Sequence, residues 1–483
     1  MRPRGGPRGP IESAIHDVAL WLGPWRVQGP TANLLGVSLM ASVGWDLIVV
    51  LGGQTALLGP TELGVVVAVA SYPMLASGVA WACLRQGEAA GARSWAAFSL
   101  IAARPVLALS LVLLASQVPG DISPRAPVYQ DVTPSVICAA RDLLHGSDPY
   151  RTPEVRCLSS LNLSIALATP LQAGPFRDLA TYPTLKQARA VARSSIEQRF
   201  ATAAFPVFGY PPLSFLWMLP VAMGSRGNWA LWTLVWAAAW LVLAGRLAGR
   251  WWPGLTLIFL LQWGVGGVLG DAAQGNAEFF AIALLALAAL TLASPRRSAV
   301  ALGLAVATSQ IAWLVVPGYL VLSRHSRDRW RRLLWLGGTV LVATVPWMIA
   351  YPAGPLAILK LIMQPTYAKG IGVVALSAVV PLLPLLPKPV YFAATGAVEL
   401  VLLTLGARME RWAILAVVLA PAALWFSWRS ELKFLGLLPL LAGAAAVGVE
   451  RRGVRADRPG GDRSRWRAAA PAGALLKRVA GWW

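Results

Sequence analysis

The chain has 483 residues, of which 57% are hydrophobic and only 13% charged, and its mean hydropathy is +0.60. A soluble domain carries roughly twice that share of charge. These proportions exclude a soluble enzyme and a disordered scaffold, and an outer-membrane barrel would show short alternating segments instead. The net charge of +21 comes from 42 Lys and Arg against 21 Asp and Glu. The basic residues sit mostly in short connections and at both ends. That distribution fits positive-inside topology and anionic headgroups, and it argues against a nucleic-acid partner.

The start, MRPRGGPRGP, reads as a basic arm with no apolar run beside it, so no cleavable signal is expected. Apolar spans follow near 34–51, 62–84, 94–116, 211–224, 228–246, 252–270, 276–293, 298–322, 332–352, 372–387, 389–406, 411–427 and 432–448. Most are long enough to cross a bilayer core. The stretch 372–387 is short and holds Pro381, Pro384 and Pro387, so it is not expected to cross fully. About 12 crossings then place both termini inside and the long connection 117–210 outside. The same count puts Lys360, Lys369 and the segment Trp428–Lys433 at the outer surface. It also leaves Arg246, Arg250, Arg296 and Arg297 outside. A second arrangement moves all four inside: 211–224 dips and returns, and 298–322 is a broken hairpin. The polar turn near 270–276 then moves outside. Sequence leaves both open.

Charges inside the apolar spans are few: Asp46, Arg104 and Glu399. Asp46 and Arg104 fall 12 and 10 residues from the inner ends of two spans running the same way. At 1.5 Å per residue their depths differ by about 3 Å. An unpaired charge is costly in lipid, so an ion pair between them is expected.

The connection from Ser116 to Tyr210 holds 16 of the 63 charged residues in about a fifth of the chain. Connections this long are usually functional or disordered. Val132, Val136, Ala139, Ala140, Leu143 and Leu144 recur at helical spacing, and Gly146 follows as a stop signal. Short helices lying on the membrane surface are therefore expected. Asp131 stands where such a helix begins and could be a plain N-cap. Asp148-Pro149 reads as a turn, and Asp142 as a solvated helix face. His145 reads as a residue at the helix end, with substrate contact as the alternative. Cys138 and Cys157 lie in the same connection, where a disulfide and two free thiols both remain open. With Cys83 they form no CxxC and no zinc pattern. No Asp-x-Asp occurs anywhere, so neither a metal nor another cofactor is expected.

Four ordered stretches carry a resemblance. They are Asp131-x7-Ala139-Ala140-x2-Leu143-Leu144-x-Gly146-x2-Pro149-Tyr150, Phe208–Leu213 (FGYPPL) with Pro220, Gly270–Glu278 (GDAAQGNAE) and Phe426–Phe434 (FSWRSELKF). In that order the chain resembles the polyprenol-phosphate-mannose-dependent mannosyltransferase-like membrane proteins of the GT-C superfamily, glycosyltransferase family 87. It departs from them in having Ser135 where an aromatic is common and Gln310 where Lys is common.

The resemblance implies an all-α polytopic bundle of about 12–13 transmembrane helices. Its parts are a basic cytoplasmic arm (1–33), an added hairpin (34–93), a GT-C-like domain (94–449) holding the outer loop 117–210, and a basic tail (450–483) that is expected to be disordered. It implies a plasma-membrane enzyme that moves a hexose from a polyprenyl-phosphate donor to a lipid or glycan acceptor. Mannose is the implied sugar, with arabinofuranose or another hexose open. Inverting displacement needs one carboxylate to take the acceptor proton. Asp131 occupies the place of the family's loop aspartate. The leaving lipid phosphate needs cations. Arg429 and Lys433, four apart on one helix face, and Lys360 and Lys369 are the candidates, with interfacial anchoring as their other reading. Tyr210, Gln274, Asn276 and His145 are candidates for the substrate cavity. A transporter or flippase of a lipid-linked sugar is the competing class, although no internal repeat is visible.

Overall fold

The computed structural model describes residues 118–124, 132–165, 175–193, 206–261, 268–363, 386–427 and 433–456, apart from single positions within them, and a few isolated positions before 118. Asp46, Arg104, Asp131, Lys369 and Arg429 lie outside the described residues, as does the expected span 62–84. The expected spans 34–51, 94–116 and 372–387 lie mostly outside them. Of Lys433 only the backbone position is described, at the start of a helix.

Among the described residues every regular element is helical. The only β contacts are two isolated bridges, Pro153 with Val207 and Ser164 with Thr181. The outer connection contributes α1 (Val132–Leu144), α2 (Val155–Ser160) and α3 (Leu185–Arg193). Then come α4 (Pro212–Met218), α5 (Arg226–Ala248), α6 (Trp252–Leu260), α7 (Val268–Ala273) and α8 (Glu278–Leu290). The rest are α9 (Pro295–Thr308), α10 (Ile311–Arg324), α11 (Arg329–Ala350), α12 (Gly354–Met363), α13 (Lys388–Arg408), α14 (Glu410–Leu419) and α15 (Lys433–Ala456).

Three of these helices, α5, α11 and α13, are long and apolar enough to cross a membrane. At 1.5 Å per residue, 21 to 23 residues reach about 32–35 Å, more than a bilayer core. On α11, Leu334, Val342 and Ile349 are more than 70% exposed, a stripe that suits lipid. The core is organised on α8, where Phe279, Ile282, Leu285, Ala286 and Leu290 are all buried. Helices α5, α9 and α15 pack around it.

The long connection is more than a surface layer. Eight residues of α1 are buried, from Val132 to Ala140, because α1 is sandwiched between α4 and α2. Its periodic apolar face and its stop at Gly146, where φ is +72°, match the sequence reading. A disulfide joins Cys138 to Cys157 and ties α1 to α2, which resolves the open thiol question in favour of the bond.

The apolar run 298–322 breaks at Ser309 and Gln310 into two antiparallel half-length helices, α9 and α10. Both ends of this hairpin lie on one side. The Arg296 guanidinium stacks on Trp335 of α11 at 4.4 Å. Arg332 of α11 donates to Leu292 O at 2.6 Å and to the Tyr319 hydroxyl of α10 at 3.1 Å. His325 at the end of α10 bonds Gly406 O near the end of α13 at 2.9 Å. The segment 211–224 likewise leaves and returns to one side: Tyr210 O receives a bond from Tyr150, and Ala222 O receives one from Arg141. Within run 252–270, helix α6 ends at Leu260 with Leu261 as its C-cap. Arg296, Arg297, Arg324, Arg329, Arg331 and Arg408 therefore share one end of the bundle. Gln274 and Asn276 share the other with α1. Of the second arrangement, the broken hairpin at 298–322 is present, and Arg296 and Arg297 lie at the end opposite Gln274 and Asn276.

Candidate functional site

The site forms at the end of the bundle that carries α1, where three of the four resembling stretches meet. The first contact is at the start of α1. Thr133 donates to Asn276 Oδ1 at 3.4 Å and accepts the backbone N–H of Ala277 at 3.1 Å. Asn276 Oδ1 also accepts the Glu278 N–H at 2.9 Å. The residue is fully buried, and among the described residues its Nδ2 has no hydrogen-bond partner. Asp271 and Glu278 flank it and are themselves buried. Gly275 makes this turn possible. Its φ is +74°, and a Cβ there would lie 2.9 Å from Ala230 N of α5. Only glycine fits both the left-handed conformation and the close approach.

The opposite side of the first turn of α1 meets a carboxylate. Ser135 donates to both oxygens of Glu154 at 2.8 Å, and Glu154 is 2% exposed. Its own N–H is held by Pro206 O at 2.9 Å. Ser135 stands where the resembling family commonly has an aromatic, so here that position serves to hold an acid.

The second junction lies around α4. Trp217 stacks on Phe280, just beyond the Asn276 turn, with 5.2 Å between ring centroids, and donates to Thr308 at 3.0 Å. Gln310, at the tip of the broken hairpin, donates to Gly209 O at 2.8 Å. A Cβ on Gly209 would lie 2.7 Å from Leu361 Cβ, so the glycine of FGYPPL lets α12 pass directly over the chain. Tyr150 donates to Tyr210 O at 3.0 Å. Burial holds the Tyr150 phenol well above its usual range, aided by the Asp148 charge, so it remains a donor. Irregular helix ends of this kind are tolerated at depth where they line a site.

The sequence candidates separate. Asn276 and Tyr210 join the two junctions, and Gln274, half-exposed, sits on the same turn as Asn276. Lys360 is exposed on α12, the helix that crosses Gly209. His145 is exposed at the far end of α1, and its Nδ1 bonds Arg141 O at 2.6 Å. It is a helix-end residue and is not brought to the Thr133–Asn276 contact. Asp148 closes a turn onto Tyr150 N at 2.9 Å and pairs with Arg151 at 3.5 Å. Glu154 is a residual alternative to Asp131 in the sequence, whereas local patterning marks neither Thr133 nor Trp217 as a site-building residue. The one signal for Thr133 is its place in the opening turn of α1. Among the described residues no three His, Cys, Asp or Glu side chains converge as metal ligands.

Asp142 is half-buried on α1. Burial raises its carboxyl to about 6, against a smaller downward pull from His145. The folded protein therefore binds this proton more tightly than the unfolded chain does. The contribution to stability is complete below the ordinary value of 3.8 and is lost as pH rises through 6. Asp142→Asn should raise the thermal midpoint in detergent at pH 7.5 and leave it nearly unchanged at pH 3.5. Equal shifts at the two pH values would show that burial of the charge is not the cause.

No family model matches the chain, and no curated protein or solved structure matches it.

Proposed function

We propose that the chain is an integral membrane glycosyltransferase. It moves a hexose, mannose by resemblance, from a polyprenyl-phosphate donor to a lipid or glycan acceptor at the extracytoplasmic face, with inversion. Asp131, two residues before Thr133 in the chain, takes the acceptor proton. Arg429, Lys433, Lys360 and Lys369 neutralise the leaving phosphate, and no metal or other cofactor takes part.

The observation that carries this reading is the convergence of separated motifs. Residues 133 and 276, 150 and 210, and 209 and 310 are far apart in sequence, yet their contacts fall at one end of the bundle. Three stretches of the resemblance are involved. Two of these contacts involve the first stretch, at Thr133 in the opening turn of α1 and at Tyr150 beyond its end. The arrangement supplies a rigid frame around the opening turn of α1, which a positioned base requires.

A lipid-linked sugar transporter also uses interrupted helices, and the α9–α10 hairpin keeps that class as the second reading. The two part on one measurement. Purified protein in detergent, given a radiolabelled polyprenyl-phosphate hexose and a membrane lipid extract, should form a labelled glycolipid, because transfer needs no sealed compartment. Movement of donor across sealed vesicles with no product in detergent would favour the transporter.

A further inference from the structure

The end of the bundle opposite α1 carries a concentrated positive charge. Between residues 294 and 335 the chain has seven arginines and one acid, Asp328. Arg296, Arg297, Arg324, Arg329 and Arg331 are exposed. Among the described residues the one ion pair in this region is Arg331 with Asp328, at 3.7 Å.

The charges are ordered by aromatic rings. Arg296 at the start of α9 reaches across to lie over Trp335 of α11, and Arg329 lies over Trp330 at 5.3 Å. Arg331 precedes Trp335 by four residues, so the two share a helix face. Arg296 and Arg331 thus flank Trp335 along the exposed groove where α9 meets α11, and Arg297 follows Arg296 in the chain. Beside it Trp330 is 65% exposed and Leu334 is 72% exposed.

We infer that this groove binds the headgroup of an anionic phospholipid. The guanidinium groups suit the phosphate, since each offers a planar fork of donors. The rings and Leu334 suit the acyl boundary, where tryptophan is favoured. The groove lies along the first two turns of α11, one of the three helices able to cross a membrane, which is the level at which a span meets headgroups. A soluble phosphate would use the arginines and leave Trp330 and Leu334 in water. The site does not depend on which activity the opposite end has.

The full chain would be reconstituted in nanodiscs of equal phosphatidylglycerol and phosphatidylcholine. The lipid retained after mild detergent extraction would then be quantified by mass spectrometry. An arginine near the surface favours anionic lipid by about fivefold, so the retained lipid should be enriched in phosphatidylglycerol by at least about that factor. The triple variant Arg296→Gln, Arg297→Gln, Arg331→Gln should return the ratio to that of the bulk. A control, Arg156→Gln with Arg189→Gln at the other end, should keep the enrichment. Trp335→Leu, which removes the stacking ring and keeps every charge, should reduce it by about half. A bulk ratio in the wild type overturns the site outright, whether or not the triple variant folds. Enrichment that survives the triple variant, is unchanged by Trp335→Leu, or falls equally in the control overturns it too. Complete displacement of the lipid by excess inorganic phosphate would reassign the groove to a free anion.

Discussion

Asp131→Asn is expected to lower sugar transfer by about 10²–10⁴ while leaving folding and donor-lipid binding intact. The substitution separates two roles of one residue. Asp131 immediately precedes α1, which begins at Val132, so a helix cap is a fair alternative. Asparagine caps a helix as well as aspartate does, but it cannot accept the proton of an acceptor hydroxyl. A pure cap therefore predicts unchanged turnover and, at most, a stability change near 1 kcal/mol. The measurement is initial rate with purified protein, alongside a thermal melt and donor binding. Near-wild-type transfer would remove Asp131 from the mechanism. Attention would then pass to Glu154, whose buried carboxylate already lies beside the first turn of α1 through Ser135.

The Ser135–Glu154 contact also shows what a sequence cannot yield. Helix α1 was legible because burial of one face imposes a period on Val132, Val136, Ala139 and Ala140, and because Gly146 ends it with a positive φ. The long spans were legible because hydropathy measures fitness for lipid. The same property hides where a span stops short. Run 298–322 is apolar almost throughout, and its one proline, Pro317, lies within α10, not at the break. At the break, the side chains of Thr308 and Gln310 bond partners outside the hairpin, in Trp217 and Gly209. Those partners are about a hundred residues away along the chain. Thr133 and Asn276 are separated by 143 residues, and no local pattern announces such a pair. Apolar patterning marks the frame, whereas the polar contacts that assemble the site are tertiary.

Thr133→Val should lower the transfer rate by about tenfold to a hundredfold and stability by about 1–3 kcal/mol, whereas Thr133→Ser should restore most of both. Valine matches threonine in shape, so the change removes the hydroxyl with little effect on packing. It leaves the buried N–H of Ala277 without its acceptor and Asn276 Oδ1 without one of its donors. An unmade bond at a buried donor costs about 1–3 kcal/mol. The stability loss alone would follow from any buried hydroxyl. The rate loss follows only if the contact holds the start of α1, and so Asp131, against the turn at Asn276. A shift of about 1 Å at a reacting group can cost about a hundredfold in rate. That loss should fall on kcat more than on the donor KM, because Thr133 positions the base and does not hold the phosphate. The valine variant should be assayed well below its melting temperature, so that the folded fraction stays complete. A destabilised variant with wild-type kcat would confine Thr133 to packing, and failure of serine to rescue would show that the hydroxyl is not what matters.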